Sequence, residues 1–176
     1  MTHKTHLRVF DFDDTLFRIP NYTCSEAKGY SPIEWFDSKE SLDQNKFNIK
    51  GILNIIEEAL DECSENYMIT QRVNTLKPQA DSILEQKGIK FIETFFLGRN
   101  SKSEILDSLI KPWTTKVTIY EDSLFEILKY IEYFKKNRKE IEIYFVFVDK
   151  SKIFKYKLEN LIGLTDFESI DKLRIS

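Results

Sequence analysis

The chain has 176 residues, 41% hydrophobic and 31% charged, with a formal net charge of −3. That is enough apolar material for one proper core, expected as a single domain over 1–176. The acidic balance excludes a global attraction to polyanions. Only Cys24 and Cys63 are present, which excludes a disulfide framework and points to a reducing, cytoplasmic setting. No apolar stretch approaches the ~20 residues that span a bilayer, and the polar segment 1–6 does not read as a signal peptide. It carries His3 and His6, expected in a loose terminus.

The first predicted strand is Leu7 to Phe12. It ends in Asp11-Phe12-Asp13-Asp14-Thr15-Leu16. Side chains at i and i+2 of a strand share a face, so Asp11 and Asp13 converge on one point at a sheet edge. Carboxylates that close repel unless a cation or a shared proton lies between them. A divalent metal relieves this and leaves one carboxylate to attack phosphorus and the other to manage a proton. The plain alternative is a helix N-terminus capped by Asp13 or Asp14 with help from Thr15.

The segment 17–48 interrupts the expected strand-to-helix step. It is too short to be a large closing domain, and it reads as a flap or small cap. Tyr22, Tyr30, Trp35 and Phe36 could line a substrate slot, although Trp35 and Phe36 are expected to pack the insert onto the core. A helix follows over 49–63, with Ile52, Ile55, Ile56, Ala59 and Leu60 at helical spacing. Next come a strand Tyr67 to Thr70, a helix Asn74 to Gln86, a break at Lys87-Gly88 and a strand Phe91 to Leu97. A helix Ser103 to Ile110 is stopped by Pro112. Strand Val117 to Tyr120, helix Leu124 to Lys136 and strand Ile141 to Val148 complete the alternation. Strands alternating with helices predict a doubly wound, Rossmann-like parallel sheet. The remainder, 149–176, is expected to be a basic helical tail with one helix over Ile153 to Leu161. Lys150, Lys152, Lys155 and Lys157 form either a solvated face or a contact for an anionic partner.

Several strand ends carry polar residues. Thr70 closes one strand, Lys102 follows another in a polar turn, and Glu121-Asp122 closes a third. No one of these is specific, but their order is. The string Asp11-Phe12-Asp13-Asp14-Thr15-Leu16, then Thr70, Lys102 and Glu121-Asp122, resembles motifs I to IV of the haloacid dehalogenase-like (HAD) phosphohydrolases. Asp-Thr-Leu-Phe with Pro20, Trp35-Phe36, Ile69-Thr70-x-Arg72 and Tyr120-Glu121-Asp122 is similar to the branch called Swiss Army Knife RNA-repair-like. That resemblance covers 7–148. Two positions depart from the branch: Gln71 replaces Gly, and Ser123 replaces Arg.

The resemblance implies a HAD-like fold and a Mg²⁺-dependent phosphomonoester phosphatase. Asp11 would be the nucleophile, forming an aspartyl-phosphate, and Asp13 the general acid and then base. Thr70 and Lys102 would hold the phosphoryl group, with Lys90 and Lys111 as rivals for the lysine. Thr15 and Arg72 would contact substrate, although Arg72 could equally sit in solvent. Mg²⁺ would lie between Asp11, the backbone carbonyl of Asp13, and Asp122 or Glu121. Asp122 is favoured as the ligand, and Glu121 as its partner or as an orienter of Lys102.

A small cap implies an open site acting on a phosphorylated macromolecule, and a monomer is expected. The net charge favours a phosphoprotein, phosphotyrosine in particular, over a nucleic-acid end. A cysteine phosphatase is excluded, because Tyr30 and Ile69 stand where a Cys-x5-Arg loop needs Arg. A catalytically silent binding module is the alternative from another class, and retention of both Asp11 and Asp13 argues against it.

Overall fold

The structure is a computed structural model, and it describes residues 5–24, 27–137, 140–150 and 152–163. Among the described residues, eight strands and six α-helices follow one another as β1 (His6–Phe10), β2 (Phe17–Arg18), α1 (Pro32–Phe36), β3 (Lys50–Gly51), α2 (Leu53–Leu60), β4 (Glu65–Thr70), α3 (Lys77–Gln86), β5 (Thr94–Phe96), α4 (Lys102–Leu109), β6 (Lys116–Glu121), α5 (Leu124–Lys136), β7 (Glu142–Asp149), β8 (Lys152–Lys157) and α6 (Leu158–Leu161).

Six of the strands form one sheet in the order β5-β4-β1-β6-β7-β8. Every pairing is parallel except β7 with β8. The chain winds outward from β1 to β5, then returns past β1 to add β6 and β7. The strand order therefore reverses between β1 and β6. Ligands of open α/β sheets bind outside the carboxyl ends of the strands at such a reversal.

Both sheet faces are covered, which explains the continuous apolar reading of the central strands. On one face Phe10, Met68, Tyr120, Val146 and Val148 pack with Ile55, Ile56 and Ala59 of α2 and Ala80, Ile83 and Leu84 of α3. On the other, Leu7, Val9, Ile69, Val117, Ile119 and Phe145 pack with Leu106 of α4, Ile127, Tyr130, Ile131 and Phe134 of α5, and Leu158 and Leu161 of α6. Among the described residues no helix is long and apolar enough to cross a membrane.

Two expectations are corrected. The tail is not helical from Ile153. Lys152–Lys157 is an antiparallel edge strand, and only Leu158–Leu161 is helical. Phe154 and Tyr156 alternate with Lys155 and Lys157, and they pack against the β-sheet core on the α5 side, as a half-buried strand does. Lysines on such an edge also discourage pairing with another chain. The part of the predicted tail after Gly163 lies outside the described residues, as does His3. His6, by contrast, is no loose end. It opens β1, with its ring nitrogens bonded to Thr118 Oγ1 at 2.9 Å and Ser64 Oγ at 3.2 Å. Burial, together with Arg8, Lys116 and Lys155 nearby, pushes its pKa down to about 4.

Candidate active site

The chain leaves β1 through Asp11, whose backbone N–H donates to Tyr120 O on β6 at 3.0 Å. It then turns tightly. Leu16 and Phe17 N–H both reach back to Phe12 O, and Asp14 N–H donates to Phe17 O. Asp14 takes φ 53°, a left-handed conformation that Asp tolerates better than most residues. The turn runs into β2 rather than a helix, so neither Asp13 nor Asp14 caps one. β2 pairs with β3, and this ribbon brackets the insert. Within the insert, α1 is fixed by a capping box of Ser31 and Glu34 with Pro32 at its start.

Four elements bring their residues to the β1/β6 edge. Asp11 is buried, with Oδ1 accepting from Lys102 Nζ at 2.7 Å. The same ammonium donates to Glu121 Oε2 at 2.8 Å. Lys102 does not lie in an exposed turn. It is the first residue of α4 and is 3% exposed. Its rivals are elsewhere: Lys111 pairs with Glu65 at 2.8 Å, and Lys90 is exposed. Glu121 ends β6, and its Oε1 accepts the Ser123 N–H at 3.1 Å. Asp122 follows, with Oδ1 accepting from Thr15 Oγ1 at 3.3 Å. Thr15 is fully buried behind Asp122, so it sits behind a carboxylate rather than on the cleft wall. Thr70 is also fully buried, and its hydroxyl accepts the Arg72 N–H at 3.2 Å.

Arg72 is fully enclosed, not solvated. Its Nε and NH2 donate to the Asp13 carboxylate at 2.8 Å and 2.6 Å. Its NH1 donates to Phe36 O at 2.6 Å and Ser41 Oγ at 2.9 Å. The Phe36 ring lies 4.5 Å from the guanidinium carbon. One arginine thus joins the Asp13 carboxylate to the insert. Arg99 adds a second tie, donating to Asp37 at 3.0 Å.

The electrostatics are those of crowded acids. Burial drives Asp11 up to about 8 against the pull of Lys102, with Glu121 and Asp13 adding repulsion. Burial, then Asp11 and Glu121, pushes Asp122 up to about 9. For Lys102 burial works against the charge, but Asp11 and Glu121 outweigh it and hold the ammonium well above its ordinary range. Asp11, Glu121 and Asp122 each offer a carboxylate oxygen, all within 4.8 Å of one another. Were all three ionised, they would outnumber the one ammonium, and an all-oxygen donor set suits a hard divalent cation that would favour that ionised form.

These groups open onto a cleft of about 390 Å³. Asp11, Asp13, Lys102, Glu121 and Asp122 form its floor. Pro20, Tyr22, Trp35 and Phe36 of the insert line it, as do Gln71, Ser123, Phe125 and Glu126 from beyond the ends of β4 and β6. Trp35 and Phe36 do pack as structural rings: Trp35 is 3% exposed and its Nε1 donates to Pro20 O at 2.9 Å. Gln71 and Ser123, the two departures from the branch pattern, both line this cleft. Gln71 Nε2 donates to Glu126 Oε1 at 3.2 Å, bridging the β4 and β6 ends. Phe125 and Glu126 escaped the sequence reading. Their only signal is their place in the first turn after Glu121-Asp122.

No family model matches the chain, and no curated protein does. Among solved structures, a chain of the Pnkp1/Rnl/Hen1 complex shares the fold, with a TM-score of 0.51 and 12% identity. The match covers 85% of this chain and 48% of that one, so this chain spans about half the length of its solved counterpart. Together with the strand order, this places the chain among Rossmann-like α/β proteins with a mostly parallel central sheet.

Proposed function

We propose that the protein is a phosphatase of HAD type that hydrolyses phosphate monoesters through an aspartyl-phosphate on Asp11. The observation that carries the reading is Asp11 itself. It is a buried carboxylate at the strand reversal, with one oxygen held by Lys102 at 2.7 Å and two further carboxylates within 4.8 Å. An oxygen of Asp11 attacks phosphorus as the bond to the leaving oxygen breaks, and Asp13 gives that oxygen a proton. Asp13 then takes a proton from water, which attacks phosphorus, releases inorganic phosphate and frees Asp11. Arg72 fixes where the Asp13 carboxyl points. Lys102 offsets charge on the nucleophile and the phosphoryl oxygens. Asp11, Asp122 and Glu121 would hold Mg²⁺, which neutralises phosphoryl charge when bound.

The substrate class we favour is the phosphorylated end of a nucleic-acid strand. Two likenesses support it: the motif string of an RNA-repair-like branch, and the fold shared with a chain of the Pnkp1/Rnl/Hen1 complex. A phosphotyrosine protein is the second reading. It is favoured by the cleft charge, because the carboxylates of Asp11, Asp13, Asp14, Glu121, Asp122 and Glu126 outnumber Arg72 and Lys102.

The test is release of phosphate from 3′-phosphorylated oligonucleotides, phosphotyrosine peptides and a sugar phosphate, with Mg²⁺ and with excess chelator. The expected result is Mg²⁺-dependent turnover, fastest on the oligonucleotide. Full activity in chelator would remove the metal from the reading. Best turnover on the sugar phosphate would remove both macromolecular substrates.

A further inference from the structure

Two exposed aromatic side chains line the cleft. Of the large apolar side chains left exposed among the described residues, Tyr22 and Phe125 line it. They come from separate elements: Tyr22 from the insert after β2, Phe125 from the first turn of α5. Tyr22 is 48% exposed and Phe125 54%. The other cleft rings are less open: Trp35 is buried and Phe36 lies against Arg72. Neither Tyr22 nor Phe125 belongs to either core cluster. Phe125 is braced: Lys129 Nζ stands 4.1 Å from its ring centroid and is itself tied to Glu126 at 2.7 Å. The ring is thus held beside Glu126, which also accepts from Gln71.

A cleft of about 390 Å³ lies near the small end of ligand sites. It takes a phosphate and one ring-sized group, not an enclosed metabolite. The buried acids and Lys102 would receive the phosphate, and the lining adds two exposed rings with a cation beside one of them. A nucleobase is planar, apolar on its faces and sequence-independent in its stacking on aromatic side chains.

We infer that Tyr22 and Phe125 form a stacking site for the terminal base of the phosphorylated strand, so that the enzyme recognises the last nucleoside as well as its phosphate. This rests on the nucleic-acid-end reading and adds to it the residues that bind the leaving group.

The experiment compares two 3′-phosphorylated oligonucleotides of equal length and charge, one ending in a normal nucleotide and the other in an abasic sugar. Turnover is measured in the intact protein, and binding by fluorescence anisotropy in Asp11→Asn. The expected result is a preference of roughly tenfold or more for the base-bearing end, since base–aromatic stacking is of that order. Tyr22→Ala and Phe125→Ala should each shrink that ratio, while Tyr22→Phe and Phe125→Tyr preserve it. Equal handling of both oligonucleotides, with turnover intact, overturns the stacking site and leaves the phosphatase reading standing. A base preference in binding without turnover on any phosphomonoester keeps the stacking site and sinks the phosphatase reading. Turnover confined to phosphotyrosine peptides overturns the base as occupant.

Discussion

Arg72 carries a full charge with essentially no exposure, and it is tolerable there because each of its three guanidinium nitrogens has a partner. Its fork meets Asp13 from Nε and NH2, and NH1 meets Phe36 O and Ser41 Oγ. Removing one partner of a buried ion pair costs about 3–5 kcal/mol, because the other is stranded. Asp13 keeps 16% side-chain exposure, so the low end applies: Arg72→Ala should destabilise by about 3 kcal/mol in a urea melt. Arg72→Lys keeps the charge but not the planar fork. It should retain more stability than Arg72→Ala, yet still lose turnover as Asp13 and the insert shift. Asp11→Asn differs in kind. It keeps the size of the side chain and its contact with Lys102, so the fold should survive while phosphate release falls by orders of magnitude. Near wild-type turnover in Asp11→Asn would remove it as nucleophile.

At the scale of elements, the insert joins the body at one crowded point. Gly51 pairs with Phe17 in the ribbon that closes the insert. A Cβ built there would stand 2.8 Å from Ile56 Cγ1 on α2. That atom sits next to the helix backbone rather than at a free end, so something must move. Gly51→Ala should cost about 1–3 kcal/mol as overpacking, and Ile56→Val in the same chain should recover only part of it, since valine loses Cδ1, which stands 3.2 Å from that Cβ, but keeps Cγ1. Ile56→Ala removes that atom, and the double variant should cost less than the sum of the singles. Additive losses would place the strain elsewhere.

The alternating elements were legible because strands and helices differ in period. Helix Leu124–Lys136 was read with the bounds it has, from a strong apolar stripe and a basic end. The acidic pairs were legible because their spacing places them at strand ends. The edge strand Lys152–Lys157 was not, since a short run of lysines and aromatics satisfies either period. Arg72 was not either: its burial depends on Phe36 and Ser41, which reach it only through the folded insert.

For the whole molecule, stability should depend on pH in a direction set by the acidic centre. In the metal-free protein Asp11 sits at about 8 and Asp122 at about 9, far above the ordinary value of about 4 for an unfolded aspartate. The folded state therefore holds more protons than the unfolded state across that window, so stability falls as pH rises. The contribution is fully present below about pH 4 and is lost as pH climbs through about 8 to 9. A divalent cation acts in the opposite sense. On the proposed reading it would bind the deprotonated carboxylates, so its affinity would rise with pH, and it would stabilise the folded state by mass action. Thermal melts in chelator should show Tm declining between about pH 7 and about pH 9, above the range in which His6, held down at about 4, acts in the opposite sense, and Mg²⁺ should raise Tm more at the alkaline end. Asp122→Asn removes one of the two raised groups and one ligand. It should flatten the chelator curve and shrink the Mg²⁺ effect together. A flat chelator curve, or an equal Mg²⁺ effect at both ends, would separate these carboxylates from the cation and from each other.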